Sequence, residues 1–133
     1  MSEYKIYLIG ADEDEYGLLQ TKKADDLCKL SFMFLGKSLE VEADDYFSAF
    51  CLIREKLEGN NLIPFCYGAS LNVYPSRMAR SMGSGLKAYK VELGRQARRE
   101  DMVDIFDQGA DVIPATVVNQ KEYYEQWLAS LSA

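Results

Sequence analysis

The chain has 133 residues and 15.1 kDa, 48% of them apolar and 27% charged, the make-up of one ordinary domain spanning residues 1–133. With 15 basic and 21 acidic side chains the net charge is −6, which argues against a surface that tracks nucleic acid or an anionic membrane. Histidine is absent, which excludes Ser-His-Asp and Cys-His nucleophilic sites, His-ligated zinc and imidazole acid–base catalysis.

Taken in chain order, Tyr4 to Ile9 alternates Tyr4, Ile6 and Leu8 on one face with Lys5, Tyr7 and Ile9 on the other, a strand bounded by Gly10. The acidic run Asp12-Glu13-Asp14-Glu15 ends it. From Tyr16 to Glu42 come two further apolar patches, Gly17-Leu18-Leu19 and Leu30 to Leu35, the second followed by Gly36-Lys37 and the alternating Ser38 to Glu42. Gly36-Lys37 is compatible with a hairpin but lacks the strongest turn signature. Asp44 or Asp45 then caps a helix over about 44–58, in which Phe47, Phe50, Ile53 and Leu57 repeat at three to four residues and Gly59-Asn60-Asn61 closes the pattern. Leu62 to Tyr67 is apolar on both faces and suits a buried strand, with Pro64 directing it to a sheet edge or an irregular start.

Pro75 opens a short helix that runs to Met82 and is broken by Gly83-Ser84-Gly85. Lys87 to Leu93 returns to strand alternation, and Met102 to Phe106, within 101–107, fits either a short strand or a helical turn. Thr116 caps a last helix, about 116–131, with Val117, Tyr124, Trp127, Leu128 and Leu131 on one stripe. The expected architecture is therefore a single α+β domain: a largely antiparallel sheet with a central helix and a C-terminal helix packed on it. Its expected core includes Phe47, Phe50, Ile53, Leu57, Trp127, Leu128 and Leu131. The three cysteines, Cys28, Cys51 and Cys66, show no CxxC, and the chain shows no secretory leader and no apolar run of membrane-span length. Reduced, buried thiols and a cytoplasmic location follow as expectations.

Charge is unevenly distributed. Residues 1–60 hold 7 basic and 13 acidic side chains, residues 61–100 hold 7 and 2, and residues 101–133 hold 1 and 6. The basic middle third brings Arg77, Arg80 and Lys87 close in sequence to Tyr74 and the Gly83-Ser84-Gly85 turn, a set of guanidinium forks, turn amides and a phenol suited to an anion. The competing reading pairs these cations with the chain's own acidic flanks. The glycine turn lacks the GxxxxGK[ST] spacing and follows a helix rather than a strand, so it reads as a helix terminator. Ser84-Gly85-Leu86-Lys87 matches SxxK without the partner motifs that chemistry needs. Asp12 to Glu15 opens like a calcium loop, but Tyr16 and Lys23 occupy ligand positions, so no metal site is expected. Cys66, in an apolar run, reads as a buried thiol rather than a nucleophile.

Two functional classes survive. The first is a noncatalytic domain of the immunity or antitoxin kind that binds a basic protein through an acidic, tyrosine-rich surface built from Asp12, Glu13, Asp14 and Glu15, joined by Asp101 and Asp104. The second is a domain or enzyme that takes a phosphorylated or carboxylated small molecule through segment 66–90. The first is favoured, because a binding protein requires neither histidine nor a nucleophile motif. A protein partner is expected rather than a small molecule, with no nucleic acid, no membrane and no cofactor.

Overall fold

The computed structural model describes residues 2–132. Strands β1 (Ser2–Ile9), β2 (Glu15–Ala24), β3 (Leu27–Phe34) and β4 (Lys37–Ala43) form an antiparallel meander, and the two-residue β5 (Ile63–Pro64) pairs with the free side of β1. The order across this sheet is β4-β3-β2-β1-β5. Helix α1 (Tyr46–Glu58) follows β4 and lies on one face of the sheet. A second, three-stranded sheet is built from β6 (Val73–Tyr74), β7 (Lys87–Lys90) and β8 (Met102–Asp104), with α2 (Arg77–Met82) between β6 and β7. Helix α3 (Val117–Ser130) ends the chain. The chain is a single α+β domain, as its patterning implies.

Local chemistry explains the tight connections. At the β3–β4 hairpin, Leu35 (φ 46°) and Gly36 (φ 73°) are both left-handed, the geometry whose twist matches that of the flanking strands. Asp45 caps α1 by accepting hydrogen bonds from the Ser48 amide (2.7 Å) and Ser48 Oγ (2.9 Å). Ser76 and Thr116 cap α2 and α3 in the same way, so α2 begins at Arg77 and Pro75 stands just before its cap.

Strand parity then builds the core. Ile6 and Leu8 of β1, Leu19 of β2, and Leu30, Phe32 and Phe34 of β3 point to one face, where they meet Phe47, Phe50, Ile53 and Leu57 of α1, all buried. Register places position 17 on the same face opposite Ile6, and it is glycine because a Cβ there would collide with the Phe32 ring.

The differences from the sequence reading are specific. Glu15–Ala24 is a full strand, whereas its sequence shows only a short apolar patch, because its inward positions are Gly17, Leu19 and Thr21. Of Leu62 to Tyr67 only Ile63–Pro64 pairs, at the sheet edge, and Tyr67–Ala69 forms a 3-10 turn. Of Lys87 to Leu93 only Lys87–Lys90 is strand, and within 101–107 Met102–Asp104 is strand. Leu128 is 44% exposed and Leu131 half-buried, because α3 packs through Gln120, Tyr124 and Trp127 on β6 and α1 rather than on the large sheet. Among the described residues no helix is long and apolar enough to cross a membrane.

Candidate functional site

Covering one face of the large sheet with α1 leaves the other face open. The side chains of alternate parity lie there: Tyr7 opposite Tyr16, Lys5 opposite Leu18, and Leu18 opposite Met33. Tyr16 is 48% exposed, and Met33 and the turn residue Leu35 are exposed beside it. The rings of Tyr7 and Tyr16 meet edge to face at 5.5 Å, and Lys5 Nζ stands 4.4 Å from the Tyr16 ring centre. Tyr16, Met33, Leu35, Lys37 and Ser38 line a shallow depression of about 350 Å³.

The acidic turn adjoins this patch. Asp12, Glu13 and Asp14 form the exposed β1–β2 connection, and Glu15 is half-buried at the start of β2. Asp14 Oδ1 accepts a hydrogen bond from the Tyr7 hydroxyl at 3.3 Å, and the Asp14 charge is the main reason the Tyr7 phenol holds its proton more tightly than usual. Asp12, Glu13 and Glu15 line a cleft of about 580 Å³ with Leu35 and Lys37, which also border the tyrosine depression. Carboxylates and apolar surface are thus contiguous. Asp101 and Asp104 are not part of this surface: Asp101 Oδ2 accepts from the Arg98 amide (2.8 Å), and Asp104 pairs with Lys87 (3.4 Å) on the small sheet. Among the described residues, no group of three or more carboxylates and thiols is arranged to hold a metal ion.

The residues of the expected anion set are only partly brought together. The Arg80 guanidinium lies over Phe47 (5.1 Å) and Tyr74 (5.3 Å) and donates to Ser48 Oγ at 3.4 Å, while Tyr74 stacks on Tyr124 at 4.1 Å. Arg77 is exposed at the start of α2. Lys87 turns to Asp104. The glycine turn is bonded to its surroundings: the amides of Gly83 and Gly85 both donate to Ala79 O, Ser84 O accepts from the Tyr46 amide, and Ser84 Oγ accepts from Lys23 Nζ at 2.8 Å. Gly85 also packs directly on Asp45, the cap of α1. This turn terminates α2 and ties it to α1.

No protein-family model and no curated protein sequence matches this chain. Its chemistry is read from its side chains alone.

Two polar clusters escaped the sequence reading. Arg54 is 1% exposed, and it donates from Nη1 to Gly68 O (3.0 Å) and Gln120 Oε1 (2.6 Å) and from Nη2 to Ala115 O (3.1 Å). Gln120 Nε2 in turn contacts the carbonyls of Gly68, Ser70 and Val73. Burial weakens the proton affinity of Arg54, and among the described residues no carboxylate pairs with it. The signal in sequence was a single arginine and a single glutamine at inward positions of two helices. The second cluster is Tyr67, Lys90 and Asp111: Asp111 accepts from the Tyr67 hydroxyl (2.7 Å) and from Lys90 Nζ (2.8 Å), which hold its carboxyl down to about 2. Both clusters join segments distant in sequence: Arg54 and Gln120 tie α1 to α3 and to the carbonyls of Gly68 and Ala115, and Asp111 ties Tyr67 to Lys90. Of the thiols, Cys28 and Cys66 are buried and Cys51 is half-buried, and burial pushes the Cys66 thiol up to about 12.

Proposed function

We infer that this chain is a noncatalytic, cytoplasmic protein-binding domain that docks a basic protein partner on the open face of its large sheet, in the manner of an immunity or antitoxin protein. The observation that carries this reading is the continuity of the exposed Tyr16, Met33 and Leu35 surface with the acidic turn: Asp14 accepts from the Tyr7 hydroxyl beside Tyr16, and Asp12 and Glu13 share a cleft with Leu35 and Lys37 at the same end of the sheet. Aromatic and methionine side chains give a protein interface its buried centre, and a charged rim steers the partner and sets its orientation. A net charge of −6 favours approach of a cationic surface, including that of a nucleic-acid-cleaving enzyme. The anion-binding alternative has less support, because Lys87 and the amides of Gly83 and Gly85 already have partners within the chain and the Arg80 guanidinium lies against aromatic rings.

The test places a photo-crosslinking residue at Tyr16, and separately at Glu125 on the exposed face of α3, in extract of the source cell. A basic partner captured from Tyr16 and not from Glu125, and lost when Asp12, Glu13 and Asp14 are all replaced by lysine, supports the reading. The same products from both positions, or capture indifferent to the charge reversal, would overturn it.

A further inference from the structure

The two edges of the large sheet differ. At one end, β5 has two residues and includes Pro64, so it presents almost nothing to a further strand. At the other end, β4 has seven residues and, among the described residues, no strand beyond it. The hairpin fixes which of its main-chain groups are free. A two-residue turn makes Phe34 and Lys37 a hydrogen-bonded pair, and alternation along the antiparallel ladder turns the amides and carbonyls of Ser38, Glu40 and Glu42 away from β3. These three residues are exposed.

The side chains of β4 specify what such a strand would carry. Glu40 and Glu42 lie on the open face; Glu42 has Lys29 at 3.7 Å, and Glu40 has no ion-pair partner among the described residues. On the other face Leu39 and Val41 remain half-buried at the rim of the core. A strand laid along β4 therefore meets carboxylates on one face and aliphatic surface on the other. A second copy of this chain is a poor occupant, because the antiparallel self-pairings that use most of β4 set Glu40 opposite its own counterpart or opposite Glu42.

We propose that β4 is a docking edge for an extended strand of a basic protein partner, paired antiparallel and alternating lysine or arginine with aliphatic residues. Main-chain hydrogen bonds at Ser38, Glu40 and Glu42 supply the pairing. The cations sit across from Glu40 and Glu42, and the aliphatic residues extend the core past Leu39 and Val41. The inference rests on the protein-binding reading and deepens it, since β4 borders the face that carries Tyr16 and Met33.

The probe is a capped seven-residue peptide alternating lysine and valine, titrated into the ¹⁵N-labelled protein. Its control has the same sequence with a methyl group on the backbone nitrogen of each lysine, the nitrogens that face β4 in this pairing. The expected result is slowed hydrogen exchange at the Ser38, Glu40 and Glu42 amides, and binding at least about tenfold weaker for the methylated peptide, as the loss of several hydrogen bonds requires. Ser38→Pro removes one outward donor without touching charge or the β3–β4 ladder, and is expected to weaken the peptide in the same direction. Should that variant not fold, the two peptides on the wild-type protein decide. Equal affinity for both peptides, or no protection of these amides at millimolar peptide, overturns strand addition. A Tyr16 crosslink that matches the one from Glu125, or that is indifferent to the charge reversal, would instead overturn the protein-binding reading, so the two failures are distinguishable.

Discussion

Arg54 sits where helical periodicity calls for an apolar residue, one position past Ile53 on the inward stripe of α1. It is tolerated because two of its nitrogens reach Gly68 O, Ala115 O and Gln120 Oε1, and because Gln120 Nε2 in turn reaches the carbonyls of Gly68, Ser70 and Val73. Among the described residues, buried Arg54 Nε has no partner. Gln120→Ala is expected to cost about 1.5–3 kcal/mol, since it removes the Oε1 acceptor from a buried guanidinium and the side-chain donor from Val73 O. Urea denaturation measures it, and a loss below about 1 kcal/mol would mean that water or a neighbour takes over these bonds. Hydrophobic pattern alone cannot find such a pair, because it assigns a face and not the carbonyls gathered beneath it.

The two long helices are legible in sequence, and their caps show why. Asp45 and Thr116 each accept a backbone hydrogen bond three residues on, and the Glu58 carboxylate accepts from the Val117 amide at 2.9 Å, placing negative charge at the start of α3. The phase of α3 is the exception. Trp127 is 9% exposed and donates from its indole nitrogen to Arg95 O at 2.8 Å, whereas Leu128, one residue on, faces out. Trp127→Ala should cost about 3–5 kcal/mol and Leu128→Ala less than about 0.5 kcal/mol, a contrast that thermal or urea unfolding of both variants checks. Strands are less legible than helices here. β2 hides its inward face behind Gly17 and Thr21, and the reason for Gly17 is a ring on the neighbouring strand. Gly17→Ala is expected to destabilise by about 1–3 kcal/mol through overpacking against Phe32, despite the gain in strand propensity. Stability equal to wild type would show that Phe32 moves aside freely.

At the scale of the whole molecule, charge was legible as blocks along the chain but not as surfaces in space. The basic third and the acidic C-terminal third meet through Lys87 with Asp104 and Lys90 with Asp111, so Asp104 is drawn away from the Asp12 to Glu15 surface. The open sheet face was invisible for a different reason: strand alternation reveals two faces, and only the placement of α1 decides which one is covered. The same packing sets the response to alkali. Burial raises the pKa of the Cys28 and Cys51 thiols and of the Tyr46, Tyr74 and Tyr124 phenols, and takes Cys66 from 9.0 to about 12. Because each folded-state value lies above its unfolded one, the native chain retains protons that the unfolded chain has released. The stability tied to Cys66 is therefore fully present below about pH 9 and lost as pH rises toward about 12, with a slope of at most about 1.4 kcal/mol per pH unit. Urea midpoints measured across that range should fall for the wild type and fall less steeply for Cys66→Ala, whatever the variant's stability at neutral pH. Parallel curves would mean that the thiol reaches solvent before the chain unfolds.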